Sequence, residues 1–159
     1  MNINEFTAKK LGEVLAFTNL ASDTISKSHS ALVERLGAEK VQDILDKNHL
    51  HGEEFLRIAT DAGVADTTIA KSEKTFEKLS KMRDLYVGEE WDNATELLEW
   101  SGFFEGAFIV HLALVRGSGE SLDHENLITL TNEAIAYHYE ILEMIESELA
   151  LVGQDRATA

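Results

Sequence analysis

Four ionisable side chains fall near the middle of apolar stripes on four separate helical segments: His29, His51, Glu105 and His138. Each has an apolar or small residue three or four positions away, which is the spacing of one helix face. Neutral imidazole binds zinc, iron, copper or nickel, and a carboxylate can complete such a shell. A buried carboxylate is costly unless something pairs with it. We therefore expect a mononuclear metal site formed by three histidines and one glutamate.

A structural interpretation of the same residues stays open. A core histidine can hydrogen-bond to a neighbouring helix, and Glu105 can pair with one such histidine. For a single histidine this is the simpler interpretation. Ionisable groups that cluster in a core are more often functional, which favours the metal site for the four together. His124 is a further candidate for an inward position.

The elements that position these residues are helices, because apolar residues recur at helical spacing along nearly the whole chain. No segment has the alternation of a strand, and the chain has no proline to interrupt long helices. Glycines at positions 37, 63, 117, 119 and 153 are expected to end helices. The sequence predicts five helical segments: 4–36, 38–62, 66–86, 90–116 and 120–152.

Length and composition predict one domain. A chain of 159 residues fits a single helical bundle over 1–153, followed by a disordered tail at 154–159. No apolar run reaches the ~20 residues of a membrane span, and the N-terminal residues do not resemble a signal peptide. We expect a cytoplasmic protein that does not bind membranes. The net charge of −15 argues against nucleic acid as a partner.

The weaker segment 66–86 carries topological information. As a helix it would be about 30 Å long, enough to cross the bundle from end to end. Its expected core anchors are Ile69, Phe76, Leu79 and Met82. With this crossover between core helices 2 and 3, His51 and Glu105 are expected at the same height along the bundle axis. His29 and His138 are expected at one common height about 10 Å lower. The whole set then falls within roughly two helical turns. The expected fold is an all-α, ferritin-like four-helix bundle with a short crossover helix.

Residues 46–59 resemble the second helix of rubrerythrin and other ferritin-like proteins. That helix carries Glu-x-x-His followed by an apolar stretch. In register, the histidine of the motif falls on His51 and its glutamate on Asn48. A second match places the histidine on His138 and the glutamate on Ile135.

Glu105 matches the lone glutamate of the third core helix in this family, and the first helix has no inward glutamate. The chain therefore keeps both histidines and one of the four carboxylates of a di-iron site. The resemblance implies a ferritin-like protein that binds one transition-metal ion, with His29 recruited as a ligand. Iron is the metal we expect first, and manganese or zinc come next. The alternative is a bundle that binds no metal. If the protein is an enzyme, the resemblance implies an oxidation that uses oxygen or peroxide.

The fourth helical segment has a second apolar face, formed by Trp100, Phe103, Ala107, Val110 and Leu114. One helix cannot turn both faces to the same core, so this face either covers the connecting segment 66–86 or forms a symmetric homodimer, and we favour the homodimer. It supports an alternative function: a dimeric interaction or scaffold protein without metal, in which the core histidines are structural.

Overall fold

The computed structural model describes residues 2–159. Within this range the chain forms six helices and no strand: α1 (Glu5–Lys27), α2 (His29–Leu36), α3 (Ala38–Asp61), α4 (Ala65–Val87), α5 (Ala94–Ser121) and α6 (Glu125–Ala157). The prediction of an all-α chain is confirmed. Asn4 and Asn93 cap α1 and α5 by accepting hydrogen bonds from backbone N–H groups of the first turn.

The helices α1, α3, α6 and α5 pack in a closed cycle, each against the next, and α4 lies mainly on α1. Helix α1 runs antiparallel to α5: the Phe17 ring lies 5.1 Å from that of Phe108, and Glu13 faces His111 one turn further along α5. Helix α4 runs parallel to α1, because its first turn contacts the start of α1 and its last turn contacts the end. The core therefore lies between α1, α3, α5 and α6.

The predicted first helix, 4–36, is interrupted at Ser28. The backbone of Ser28 has φ −113° and ψ 17°, outside the helical region. Ser28 is buried, and its hydroxyl donates a hydrogen bond to the Thr24 carbonyl at 2.6 Å. The buried hydroxyl therefore has a partner one turn earlier in the chain. The buried stripe passes through Ser28 and Leu32, three and seven residues after Ile25, and not through His29.

Helix α4 forms almost where it is predicted, and two of its four expected anchors, Phe76 and Leu79, are half-buried and pack on the core. Ile69 and Met82, two of its expected anchors, are exposed. The face that carries Phe76 and Leu79 also buries Thr68, Ser72, Arg83 and Val87. Arg83 is fully buried: its guanidinium pairs with Asp23 at 2.5 Å and lies 5.1 Å over the Trp91 ring. Burial alone would raise the pKa of Asp23, but hydrogen bonds from Arg83 and Lys27 outweigh it and lower that pKa. These polar contacts fix the end of α4 against α1.

Two predicted helix ends are wrong. Helix α5 continues through 117–119 to Ser121, and α6 continues through Gly153 to Ala157. A glycine only weakens a helix, and neither segment contains a proline that would end it. Both helices therefore continue past their glycines. The turn after α5 is made at Asp123, whose φ is +50°. At Gly119, an added Cβ would lie 3.3 Å from the Ile128 side chain, so this glycine lets α5 and α6 approach closely.

Helix α5 is long and apolar enough to cross a membrane by length and composition alone. A packed core helix passes the same test, and 44% of the most apolar window of α5 is buried within the bundle.

Candidate functional site: a polar cluster in the bundle core

The centre of the core holds a hydrogen-bonded pair between α5 and α6. His138 is fully buried, and its Nδ1 lies 2.5 Å from Oε2 of Glu105, which is also buried. With Glu105 as a carboxylate, the His138 Nδ1–H is the donor and the carboxylate oxygen accepts. In the neutral imidazole this tautomer leaves the lone pair on Nε2. That Nε2 is buried and has no hydrogen-bond partner.

His51 lies beside this pair on α3. Its ring centre is 6.5 Å from that of His138, and its Nδ1 is likewise buried without a hydrogen-bond partner. Burial lowers the pKa of His51 to about 4, and the nearby His138 and Lys47 contribute in the same direction. At neutral pH His51 is therefore an uncharged imidazole, which is the protonation state that a metal requires.

Two further polar side chains lie near His51 along the chain or in space. Asn48 is buried one turn before His51; its amide nitrogen donates to the Ile44 carbonyl, and its Oδ1 has no partner. The Tyr137 ring lies 6.1 Å from that of His51, and its hydroxyl donates to Asp43 at 2.8 Å. Burial and the bond to Asp43 raise the pKa of Tyr137, so the phenol stays protonated. Tyr137 is not among the residues identified from the sequence. The pattern that could indicate it is an aromatic residue directly before the core histidine His138.

The structure does not bring His29 to this cluster. His29 is exposed at the start of α2, so the predicted inward position is wrong. The physical reason is the helical period itself: Ser28 takes the buried position three residues after Ile25. His124 is half-buried and serves a different purpose, because its Nδ1 accepts the Leu127 N–H and caps α6.

The predicted set of four ligands is therefore not assembled. Among residues 2–159, no group of three or more histidine, aspartate, glutamate or cysteine side chains is placed to hold a metal ion. What the core does provide is two buried imidazole nitrogens without hydrogen-bond partners, Nδ1 of His51 and Nε2 of His138. Two imidazoles bound to one ion at about 2.1 Å have ring centres at most about 6.5 Å apart, a value reached only when they lie on opposite sides of the ion; at a tetrahedral angle the ring centres are about 5.3 Å apart. The separation of His51 and His138, 6.5 Å, lies at that upper limit.

A small cavity of about 50 Å³ reaches the cluster at Glu105. It extends between the helices toward α2, and its lining is mostly apolar, with Thr24, Ser28 and Ser101 as the other polar residues. A space of this size can hold a few water molecules where polar groups are present. Glu105 is the one charged residue in its lining.

The predicted dimer face is partly exposed. Phe103, Val110 and Leu114 are exposed on α5, and Ala107 is half-buried. Trp100 does not belong to this face: it is buried, with its ring 5.9 Å from that of Tyr86 and 6.2 Å from that of Phe104.

Comparisons with protein-family models, with curated proteins and with solved structures give no significant match. The interpretation of the core cluster therefore rests on its geometry and chemistry.

Proposed function

We propose that this protein is a ferritin-like helical bundle whose core binds one transition-metal ion through His51 and His138. The main support is His138: Glu105 orients its ring and fixes the tautomer, and the other ring nitrogen is buried with nothing to bond to. A carboxylate that accepts from a metal-binding histidine is a common arrangement, because it orients the ring and increases its basicity. Glu105 is thus a positioning residue in this proposal, and water supplies the remaining ligands.

The ferritin-like part of the proposal rests on the order of the helices. Helices α1 and α3 form one antiparallel pair, α5 and α6 form another, and α4 connects them along the outside of α1. Bundles with one long crossover between two helix pairs have this connectivity. His51, Glu105 and His138 then come from three different core helices, as the resemblance implies.

The bound metal would supply Lewis-acid or redox chemistry. The residues of this chain would hold and orient it: His51 stays neutral because it is buried, Glu105 keeps His138 Nδ1 protonated, and the aromatic rings of Phe108 and Tyr137 limit the movement of the imidazoles. Iron, manganese and zinc are all compatible with imidazole ligands, so the donor set selects a class of metal and not a single element.

The test is elemental analysis of the protein purified without chelators and after anaerobic loading with ferrous iron, manganese or zinc. We expect close to one metal ion per chain in the wild type and a higher melting temperature when the metal is bound, because a ligand that binds only the folded state stabilises it. His138→Ala and His51→Ala should each lose the metal. Glu105→Gln should keep an acceptor for His138 and bind the metal more weakly.

The matched control is His49→Ala, because His49 lies on the same helix as His51, is exposed and pairs with Glu53. This variant should bind the metal as the wild type does. Absence of metal from the wild type under all loading conditions, or equal loss in His49→Ala, would overturn the proposal. The core cluster would then be a structural polar network.

A further inference from the structure

The exposed stripe of α5 consists entirely of apolar and small residues. It is formed by Phe103, Gly106, Ala107, Val110, Ala113, Leu114 and Gly117, all of which are exposed or half-exposed. Each of these positions has another of them three or four residues away, so they form a single seam about 21 Å long. The side chains of Phe103 and Val110 are 66% and 62% exposed. Large apolar residues that line up in this way on a surface indicate a contact site.

The seam is self-complementary in size when it meets a second copy in the antiparallel direction. A two-fold axis at Val110 sets Val110 against its own copy and Ala107 against Ala113. The same axis sets the largest side chain, Phe103, against Gly117. It also sets Leu114 against Gly106. An interface with two-fold symmetry uses the same patch on both chains, and this pairing places each bulky residue over a small one.

The space over both glycines is open. An ideal Cβ built on Gly106 or on Gly117 would meet no atom within 4 Å. Each glycine therefore leaves a recess in the surface that a side chain from a second molecule can enter. A parallel pairing would set each residue against its own copy, so Phe103 would oppose Phe103 while the glycines would face each other across a gap.

The neighbouring part of α4 extends the apolar surface. The Tyr86 ring packs 5.5 Å from the Phe103 ring and is itself partly exposed, and Met82 and Leu85 are exposed one turn away and beside it. The only charged side chain between Ser101 and Val115 is Glu105, which is buried in the core. Two copies can therefore meet along the seam without placing two carboxylates against each other, although each chain carries a net charge of −15.

We infer that the protein forms a symmetric homodimer in which the α5 seams of two copies pack antiparallel, with the two-fold axis at Val110. This inference does not depend on the metal proposal, because the seam faces away from the core cluster. The partner is a second copy of this chain, and α5 supplies the centre of the interface.

The first experiment measures mass in solution by light scattering or sedimentation. The wild type should have twice the chain mass of 17.7 kDa. Val110→Arg should halve that mass while the helical circular dichroism stays unchanged, because two arginines would meet at the axis. Leu50→Arg, which changes an exposed leucine on α3, is the control and should remain dimeric. A wild type that is monomeric, or that binds neutral phosphatidylcholine vesicles through α5 instead of a second copy, overturns the inference.

The second experiment fixes the direction of packing by disulfide cross-linking. The chain has no cysteine, so only the introduced thiols can form a disulfide. Val110→Cys should form a covalent dimer, because the two thiols meet at the axis, whereas Phe103→Cys alone should not, because its copies lie about 21 Å apart. The double variant Phe103→Cys/Gly117→Cys should cross-link. Efficient cross-linking of Phe103→Cys alone, or none in Val110→Cys, overturns the antiparallel arrangement.

Discussion

At the residue scale, the core chemistry depends on which atoms have partners and which do not. Glu105 satisfies one nitrogen of His138, and the other nitrogen of that ring is left without a partner. His51 and Asn48 each contribute one more buried atom in the same condition. Because a buried polar atom without a partner costs free energy, the two imidazole nitrogens call for a further ligand, which the proposed metal ion would supply.

His51 should make the stability of the metal-free protein depend on pH. Its pKa is about 4 in the folded state, against an ordinary value of 6.5 for a solvated histidine. Between these two pH values the unfolded chain binds a proton on His51 that the folded protein does not bind. The free energy of unfolding should therefore rise with pH over this range, and the contribution of His51 should be lost as the pH falls. One proton gives a slope of at most about 1.4 kcal/mol per pH unit. Urea unfolding from pH 6.5 down to pH 4 measures it.

The comparison that isolates His51 is between two variants. His51→Gln should lose this part of the slope, and His49→Gln should keep it, because His49 is exposed and pairs only with Glu53 on the surface. An identical pH dependence in the wild type and His51→Gln would show that His51 does not stay neutral in the fold.

At the scale of the elements, α4 shows how a polar helix can be held by the bundle. Its buried residues include two hydroxyls and an arginine, and Thr68 donates a hydrogen bond to the Ala8 carbonyl of α1. The close approach of the two helices depends on Gly12: an added Cβ there would lie 2.5 Å from the Thr68 carbonyl oxygen and 2.7 Å from Lys71 Cβ. The contact is made by the α4 backbone itself, which cannot turn aside as a flexible side chain can.

Gly12→Ala should therefore destabilise the protein by about 1–3 kcal/mol, the usual cost of overpacking. Gly102→Ala is the matched control within a helix of the same bundle. Its new Cβ would make an ordinary 3.8 Å contact with Ile145, so the gain in helix propensity should stabilise the protein by up to about 1 kcal/mol. Thermal and urea unfolding compare the two. A stabilising Gly12→Ala would mean that α4 does not pack on α1 at this distance.

At the scale of the whole molecule, the dominant feature is the acidic surface. The chain has 29 acidic and 14 basic residues, and most of its ion pairs join exposed side chains on a single helix, which contribute little. Repulsion between unpaired carboxylates opposes both the compact fold and the association of two copies. Arg83 is one exception, because its guanidinium is buried where it pairs with the half-buried Asp23, so salt screens this ion pair less.

Added salt should stabilise the folded protein. Raising the ionic strength from about 0.01 M to about 1 M shortens the screening length from about 30 Å to about 3 Å, so the repulsion is removed while apolar contacts persist. We expect the melting temperature of Val110→Arg, the intended monomer, to rise by a few degrees, and the dimer proposed for the wild type to dissociate less. A fall in melting temperature with salt would indicate that ion pairs, and not repulsion, dominate the surface energy.

The helical fold and three of the core residues follow from local sequence patterns. Periodicity at 3.6 residues and the absence of proline predict helices, and the same periodicity places His51, Glu105 and His138 inside their stripes. These are local properties, since a residue's face follows from its neighbours within two turns. The predicted ends of α5 and α6 were wrong because glycine signals a stop only weakly when packing holds the helix together.

Which side chains meet depends on tertiary packing. Glu105 pairs with His138 across 33 positions of sequence, and Arg83 is buried against Asp23 across 60, and no local pattern encodes either contact. Periodicity predicts His29 in the core because the stripe after Ile25 admits either of two neighbouring positions, and tertiary packing buries the other one, Ser28. Periodicity fixes a face to within about one residue, or 100°, whereas a binding site requires atoms placed to within a fraction of an ångström.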